Sequence, residues 1–518
     1  MSKGLHRLKN LLYFYRVEFI KSSFFYRLSL DRRSDIFDTS KFIPDPWEGD
    51  SDLGKNILNG EFSSLKLNYS IDILELFNQK KWKDAKFISD FFWLRDIQAI
   101  GGNNGRKYAQ KLISSFISAY KKTRKFWKYD EIWSCGIIGE RIVNWILSYT
   151  FFASGSSDNF QKTVLSSINE QFSHLVKCYK AEFDPYSKLM ALKGIIFCYC
   201  VMNFKQKKKI CSLLNEICDL LENAKDSFLK MSPTDYFHVF RSLLEIRFIV
   251  KINNIDLPDL FLSTLSKMAA NIRVLRLGNG DISMHPGNSN KNMLFIPSSR
   301  IIDTALSIVD IKDNSSLDLG FERLATKKST LIINTKLYNM KSIFNPSKEP
   351  GINVFDFESS FGMNKLLHRS DISVLYNNHR IKLGPDSQIF SKRGIQNNSL
   401  SFEGETQFFN NFFKFAFKRE LNCFSDISKL EGRELIFLSK PNTEFFIRFA
   451  FNENAELCQV DERKVFITFS KNTYEFKYVL NDNLSLKIRN LKFPTIEIFA
   501  ISDGKNEIEC NWVIDERG

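Results

Sequence analysis

Tyr474-Glu475-Phe476-Lys477-Tyr478 and, a little further on, Leu484-Ser485-Leu486-Lys487-Ile488-Arg489 alternate apolar with polar or charged side chains. A period of two places alternate residues on opposite faces, which is the pattern of a half-buried strand. The polar triplet Asn481-Asp482-Asn483 between them supplies a turn. The same texture recurs at 330–334, 445–451 and 465–469, with further turn signals such as Asp503-Gly504. Short, evenly spaced strands of this kind predict an antiparallel β-sandwich.

Towards the N-terminus the period changes. Apolar residues recur at three- and four-residue spacing over 85–100, 106–120, 137–152, 160–179, 187–204, 208–230, 235–252 and 260–277. These are blocks of helical length, joined by breakers such as Gly101-Gly102-Asn103, Ser154-Gly155-Ser156 and Asp184-Pro185. Many antiparallel helices with short turns make either a bundle or a ring of helical hairpins. The change of texture lies near 280–320, where His285-Pro286-Gly287-Asn288 opens a polar, breaker-rich stretch. The expected organisation is a basic helix and extended segment over 1–65, a helical domain over 66–284, a linker with first strands over 285–315, and a sandwich over 316–518.

Composition bounds the class. The chain has 518 residues, 73 Lys and Arg against 59 Asp and Glu, and a net charge of +14. A hydrophobic share of 43% and a charged share of 25% exclude disorder and collagen-like structure. No apolar run approaches the length of a membrane span. The 50 phenylalanines are read as drift of an AT-rich coding bias, and only second as aromatic platforms. The excess of positive charge speaks to association with acidic partners rather than to fold. No RNA-recognition aromatic motif, zinc finger or phosphate-binding loop is present, so no nucleic-acid partner is expected.

Nine cysteines without a CxxC pair are expected to be reduced and mostly buried, which favours a cytoplasmic compartment. Residues 1–33 carry eight basic side chains against Glu18 and Asp31. The apolar stretch 11–20 is broken by Arg16 and Glu18 and is no signal-peptide core. A basic amphipathic helix there has two readings: packing on the rest of the protein, or peripheral contact with an anionic membrane surface.

Several strings, in order, resemble bacterial heparinase II/III-like proteins. They are Pro46-Trp47-Glu48-Gly49-Asp50, Asn59-Gly60-Glu61-Phe62, Phe92-Trp93-Leu94-Arg95-Asp96 and Arg141-Ile142-Val143-Asn144-Trp145. Further on come Ser232-Pro233, the run 272–281 from Ile272 to Asp281, Gly320-Phe321-Glu322-Arg323-Leu324 and Phe355-Asp356-Phe357-Glu358. The resemblance implies an (α/α) toroid followed by an antiparallel β-sandwich. It also implies similarity to polysaccharide lyases, which cleave uronate-containing glycans by β-elimination. That reaction needs a group to neutralise the uronate carboxylate, a base for the C5 proton, and an acid for the departing glycosidic oxygen.

The sequence departs from the family at its histidines. Where the resemblance implies a His before the Ser232-Pro233 helix, the chain reads Ser227-Phe228-Leu229-Lys230-Met231. Gly351 stands before the Phe355–Glu358 string, Gln396-Asn397-Asn398-Ser399-Leu400 replaces a His-bearing string, and Ala450 follows Arg448-Phe449. The ligands of a structural zinc are among those lost, so no cofactor is expected. Two functions follow: a diverged lyase acting on an acidic glycan, or a catalytically inactive relative that binds such a glycan or a glycan-assembly partner.

Asn144, Tyr236 and His285 are the catalytic candidates, with Arg141, Trp145, Arg273 and Arg276 as substrate-binding candidates. Arg141, Asn144 and Trp145 share a helical face, where the first two would hold a carboxylate and Trp145 would stack on a sugar. Helix-to-helix packing is the competing reading. Tyr236 and His238 diverge by roughly 200° on a helix, so at most one faces a given cleft, and Tyr236 is preferred. Arg273 and Arg276 share a face just before His285 and could contact acidic sugar. His368, Arg369, His379 and Arg380 are expected to be exposed strand ends. No spacing favours a metal.

Overall fold

The computed structural model describes residues 15, 26–62, 72, 88–121, 131–204, 206–225, 228, 231, 233–283, 320–336, 352–377, 379–381, 387–396, 398–409, 414–479, 484–491, 493–504 and 507–517. They divide into two compact units. One is drawn from Met1–Phe228 and His238–Lys267, the other from Leu229–Phe237, Met268–Asn288 and Pro297–Gly518. His285, all of the expected linker 285–315 and most of 1–33 lie outside the described residues. No described helix is long and apolar enough to cross a membrane.

The helices are α1 (Ser51–Leu58), α2 (Leu94–Ile100), α3 (Gly102–Lys121), α4 (Cys135–Ala153), α5 (Asp158–Cys178), α6 (Pro185–Cys200), α7 (Lys207–Asn223), α8 (Pro233–Ile252) and α9 (Asp259–Val274). Their starts are written locally. Asp50 caps α1 through the amides of Asp52 and Leu53, Ser157 caps α5, and Asp184 caps α6 ahead of Pro185 in its first turn. The central helices α4 and α6 are buried over most of their length. They cross at glycines. A Cβ on Gly139 would lie 2.1 Å from the Met190 carbonyl oxygen, and one on Gly194 would lie 2.7 Å from Gly139 Cα.

Three helices differ from the periodicity. Within the described part of the block 85–100, from residue 88 on, the helix begins at Leu94, because Phe91 takes a φ of 60° and Asp90 turns the chain by accepting the Phe92 amide. The block 187–204 stops at Cys200. Beyond it Val201 and Asn203 bond the backbone of Asp38 and Ile36, so a sheet-like pairing replaces the next helical turn. The block 260–277 stops at Val274. There the chain folds into a tight hairpin, with Leu277 N–H on the Asp281 carbonyl, Ser283 N–H on the Leu275 carbonyl, and Gly280 at φ +90°.

The second unit carries sixteen described strands in two antiparallel sheets. One runs β1 (Phe321–Ala325), β2 (Ser329–Asn334), β3 (Ile352–Phe361), β4 (Asn364–Tyr376), β10 (Thr443–Phe451), β15 (Thr495–Ser502) and β14 (Leu484–Arg489), with β5 (His379–Arg380) paired to β4; the other runs β11 (Glu456–Asp461), β12 (Lys464–Phe469), β13 (Asn472–Val479), β16 (Ile508–Arg517), β9 (Lys429–Leu438), β8 (Lys414–Phe424), β7 (Ser399–Phe409) and β6 (Gln388–Gln396). The deciding stretch forms β13 (Asn472–Val479) and β14 (Leu484–Arg489), which fall in different sheets. Phenylalanine fills this core. Phe357 stacks on Trp512 at 5.9 Å, Phe449 meets Trp512 edge-on at 4.9 Å, and Phe355, Phe402, Phe417 and Phe476 are buried around them. Phenylalanine thus supplies much of the core volume here. Inside it the Arg419 guanidinium pairs with Glu434 at 2.9 Å and bonds the Phe355 carbonyl, while Trp512 Nε1 donates to Glu434.

Candidate active site

The motif strings of the N-terminal half converge in the helical unit. Trp47 Nε1 donates to Glu245 Oε1 at 2.9 Å, and the Asp50 amide donates to Asp96 at 2.9 Å. Arg95 pairs with Asp45 at 3.1 Å and reaches Asn144 Oδ1 at 3.4 Å. On α6, Lys193 is wholly buried between Glu140 (2.7 Å) and Glu245 (2.8 Å). Arg241 on α8 pairs with Glu245 at 3.1 Å and lies 3.9 Å from Glu140. Asp45, Glu140 and Glu245 thus balance Arg95, Lys193 and Arg241. Such a cluster is tolerable away from water only because every charge has a partner.

Burial raises the Asp45 carboxyl although Arg95 pulls it down, and burial pushes Asp90 up to about 7. Glu245 behaves oppositely. Burial would raise it, but the combined attraction of Lys193, Arg241 and Arg95 holds it below the usual carboxylate range.

One edge of this cluster holds a hydrogen-bonded chain of a tyrosine, a histidine and an arginine. Tyr186 Oη lies 2.6 Å from His238 Nδ1, and Arg241 NH2 lies 2.9 Å from His238 Nε2. A guanidinium only donates, so Nε2 accepts; the neutral ring then carries its hydrogen on Nδ1 and donates to the phenolic oxygen. Phe92 packs against this group, with its ring 6.2 Å from His238 and the Arg241 and Arg95 guanidinia 4.4 and 4.0 Å from its centroid. Tyr186 and His238 keep 6% and 7% of their surface in contact with solvent. In this ring of contacts Asn144, Arg95, Arg241, His238 and Tyr186 form one continuous polar group.

The predicted residues divide. Asn144 belongs to this group, its amide donating to the Asp90 carbonyl at 2.9 Å. Arg141 and Trp145 do not serve as substrate contacts: both are 0% exposed. Arg141 bonds Gln171 and the carbonyls of Ser89 and Ile132, and its guanidinium lies over Phe116 and Trp133. Helix packing is their role. Tyr236, preferred over His238, is buried in the other unit, where its hydroxyl accepts from Asn271 Nδ2 at 2.8 Å. The two residues meet different partners, Asn271 for Tyr236 and Tyr186 for His238. Neither periodicity nor motif singled out Tyr186, whose only local signal is its place in the first turn after Asp184-Pro185.

Arg273 is exposed and Arg276 half-buried in the second unit, at the end of α9 and in the hairpin after it. Arg369, expected to be exposed, is buried and paired with Asp356. His379 is exposed. In the sandwich strands Lys365 meets Glu358 at 2.7 Å, and Arg448 meets Glu497 at 2.7 Å. Ala450 offers no ligand. Gly351 and Asn397 lie outside the described residues, and among the described residues no group of three or more His, Cys, Asp or Glu suited to a metal occurs.

No family model matches the chain, and no curated protein matches it. Solved structures do. The chain is similar to a crystal structure of heparinase III with a TM-score of 0.55 and 12% identity, over 95% of this chain and 88% of that one. A heparinase III gene product gives 0.54 and 10% identity over 94% of each chain, and its form with methylated lysines gives 0.50 and 10% over 93% and 85%. The fold is therefore that of heparinase III, a polysaccharide-lyase-type helical toroid domain with an antiparallel β-sandwich domain. At this identity the likeness speaks for fold alone.

Proposed function

We propose that the protein acts on an acidic, uronate-containing glycan by β-elimination, with Tyr186 and His238 as its proton-transfer pair. The supporting observation is the Tyr186–His238–Arg241 relay. A hydrogen bond donated to the phenolic oxygen, backed by a guanidinium, suits an oxygen that gains negative charge when its own proton leaves. Asn144 and Arg95, in the same polar group, have the chemistry to neutralise a uronate carboxylate. In the elimination a base removes the C5 proton, the C4–O4 bond breaks with formation of a C4=C5 double bond, and a proton passes to the departing oxygen. Asn144 keeps its assigned role, while the base passes from Tyr236 to Tyr186.

The second reading, an inactive relative that binds an acidic glycan, is favoured by the burial of Arg141, Asn144 and Trp145. Ultraviolet absorbance of unsaturated uronate ends separates the two. Wild-type protein mixed with uronate polymers is expected to generate that absorbance, and Tyr186→Phe to lose at least about a hundredfold in rate, in line with general acid–base catalysis, while retaining its circular dichroism. Equal rates in both proteins would remove Tyr186 from the reaction, and saturable binding without product would leave the binding reading.

A further inference from the structure

Beside strands β12, β13 and β16 of the second unit lies a cavity of about 690 Å³. Volumes of this order belong to pockets that bury a ligand. Phe476, Tyr478, Cys510, Trp512 and Ile514 are buried on the inner side of these strands, so the alternating Lys477, Val479, Asn511 and Val513 face outward. All four line the cavity, and the hairpin from Asp461 to Lys464 completes the lining. That hairpin is tied to β13: Tyr478 Oη donates to the Glu462 carbonyl at 2.9 Å, and the Tyr478 amide donates to the Arg463 carbonyl at 3.2 Å.

The lining combines exposed carbon with charge of both signs. Val479, at the end of β13, is 61% exposed. Lys464 and Lys477 stand directly opposite each other in the register of β12 and β13. Like charges so placed repel, and one carboxylate holds them together: Glu475, on the same face and nearly buried, meets Lys477 at 2.9 Å and also pairs with Lys464. Arg517 reaches that carboxylate at 3.5 Å. Each ammonium carries three N–H donors, so one carboxylate shared among three cations leaves donors over. Acceptors are left over as well. Asp461 Oδ1 takes the Arg463 amide at 2.7 Å, but among the described residues the Glu462 carboxylate and the Asn511 side-chain oxygen accept no hydrogen bond.

We propose that this cavity binds a short stretch of a uronate-bearing saccharide, as a site built apart from the proton-transfer pair. The choice of a saccharide rests on the proposed function, and the lining supports it in three ways. A uronate carboxylate matches the paired ammonium groups of Lys464 and Lys477. Ring hydroxyls donate as well as accept, so they satisfy Glu462 and Asn511. The C–H face of a sugar ring covers Val479 and Val513. One acid and several hydroxyls per ring suit a lining of both signs, whereas a densely sulfated chain is repelled by Asp461 and Glu462.

Titration calorimetry of the full chain tests it with oligogalacturonate (carboxylate and hydroxyl), dextran sulfate (sulfate) and dextran (neutral). The parent is Tyr186→Phe, to suppress turnover, and Lys477→Ala and Val479→Asp are each added to it. Both positions are exposed, and Lys477→Ala leaves Glu475 with Lys464 and Arg517, so the fold is kept. The expected result is binding of oligogalacturonate in preference to dextran sulfate and none of dextran. Lys477→Ala weakens it about fivefold, the scale of a partly exposed charge contact, and Val479→Asp, which sets a like charge against the ligand, weakens it at least as much. Oligogalacturonate affinity unchanged in both variants would overturn the site, as would tighter binding of dextran sulfate or no binding of oligogalacturonate. If no polymer yields unsaturated ends yet oligogalacturonate binding falls in both variants, the lyase reading fails and the site stands. If Tyr186→Phe abolishes product while both cavity variants bind like their parent, the reverse holds.

Discussion

Replacing Lys193 by Met isolates the charge balance at the heart of the helical unit. Lys193 is wholly buried, bonded to Glu140, Glu245 and Ser242. Met fills nearly the same volume with apolar atoms, so little packing is lost. The two carboxylates fare differently. Glu245 keeps Trp47 Nε1 at 2.9 Å and Arg241 Nε at 3.1 Å, whereas Glu140 keeps only Arg241 NH2 at 3.9 Å. Breaking a buried pair typically costs about 3–5 kcal/mol. A ceiling also applies, because a stranded carboxyl can take up a proton. For a glutamate of ordinary acidity, neutralisation at pH 7 costs about 4 kcal/mol, falling by about 1.4 kcal/mol per pH unit. The expected destabilisation is therefore about 3–4 kcal/mol at pH 7 and about 1 kcal/mol at pH 5. Urea unfolding followed by far-ultraviolet circular dichroism reads it as a midpoint shift of about 1 M or more at pH 7. Adding Glu140→Gln should recover most of the loss. A shift that is the same at both pH values, or a double variant no more stable than Lys193→Met, would refute the charge-balance account.

Two further perturbations probe the fold. Gly139→Ala forces a methyl against the Met190 carbonyl, a backbone atom that cannot swing away, and is expected to destabilise the helical unit by about 3 kcal/mol; a thermal melt indistinguishable from wild type would contradict the close crossing of α4 and α6. Burial raises Asp96 from 3.8 to about 6 while it accepts the Asp50 amide. The native state then holds an extra proton between those values, so this group's contribution to stability is greatest below about 4 and declines as pH rises through about 6. The decline amounts to about 3 kcal/mol. Asp96→Asn should flatten that part of the pH–stability curve, and an unaltered slope would show that the carboxyl titrates normally.

Much of the candidate site was visible as strings but not as chemistry. Pro46–Asp50, Phe92–Asp96 and Arg141–Trp145 carried the resemblance, and they do assemble around one charge cluster. Yet the helical face of Arg141, Asn144 and Trp145 could not reveal that Arg141 and Trp145 point into packing. Helical spacing gives a direction relative to the helix, and only its neighbours decide whether that direction meets solvent or Gln171 and Phe116. Tyr186 and His238 are 52 residues apart and come together because α6 and α8 both contribute to the charge cluster.

By itself the sequence determined the order of textures: three- and four-residue periodicity, then alternation, with caps at Asp50, Ser157 and Asp184 setting where helices begin. These are local matters of backbone sterics and side-chain reach, decided within a few residues. Tertiary structure alone decided that Val201 leaves its helix to pair with Asp38, and that Lys193 is balanced by carboxylates from two other helices. Each of these depends on long-range burial and charge, and no window of contiguous residues contains the groups that repay it.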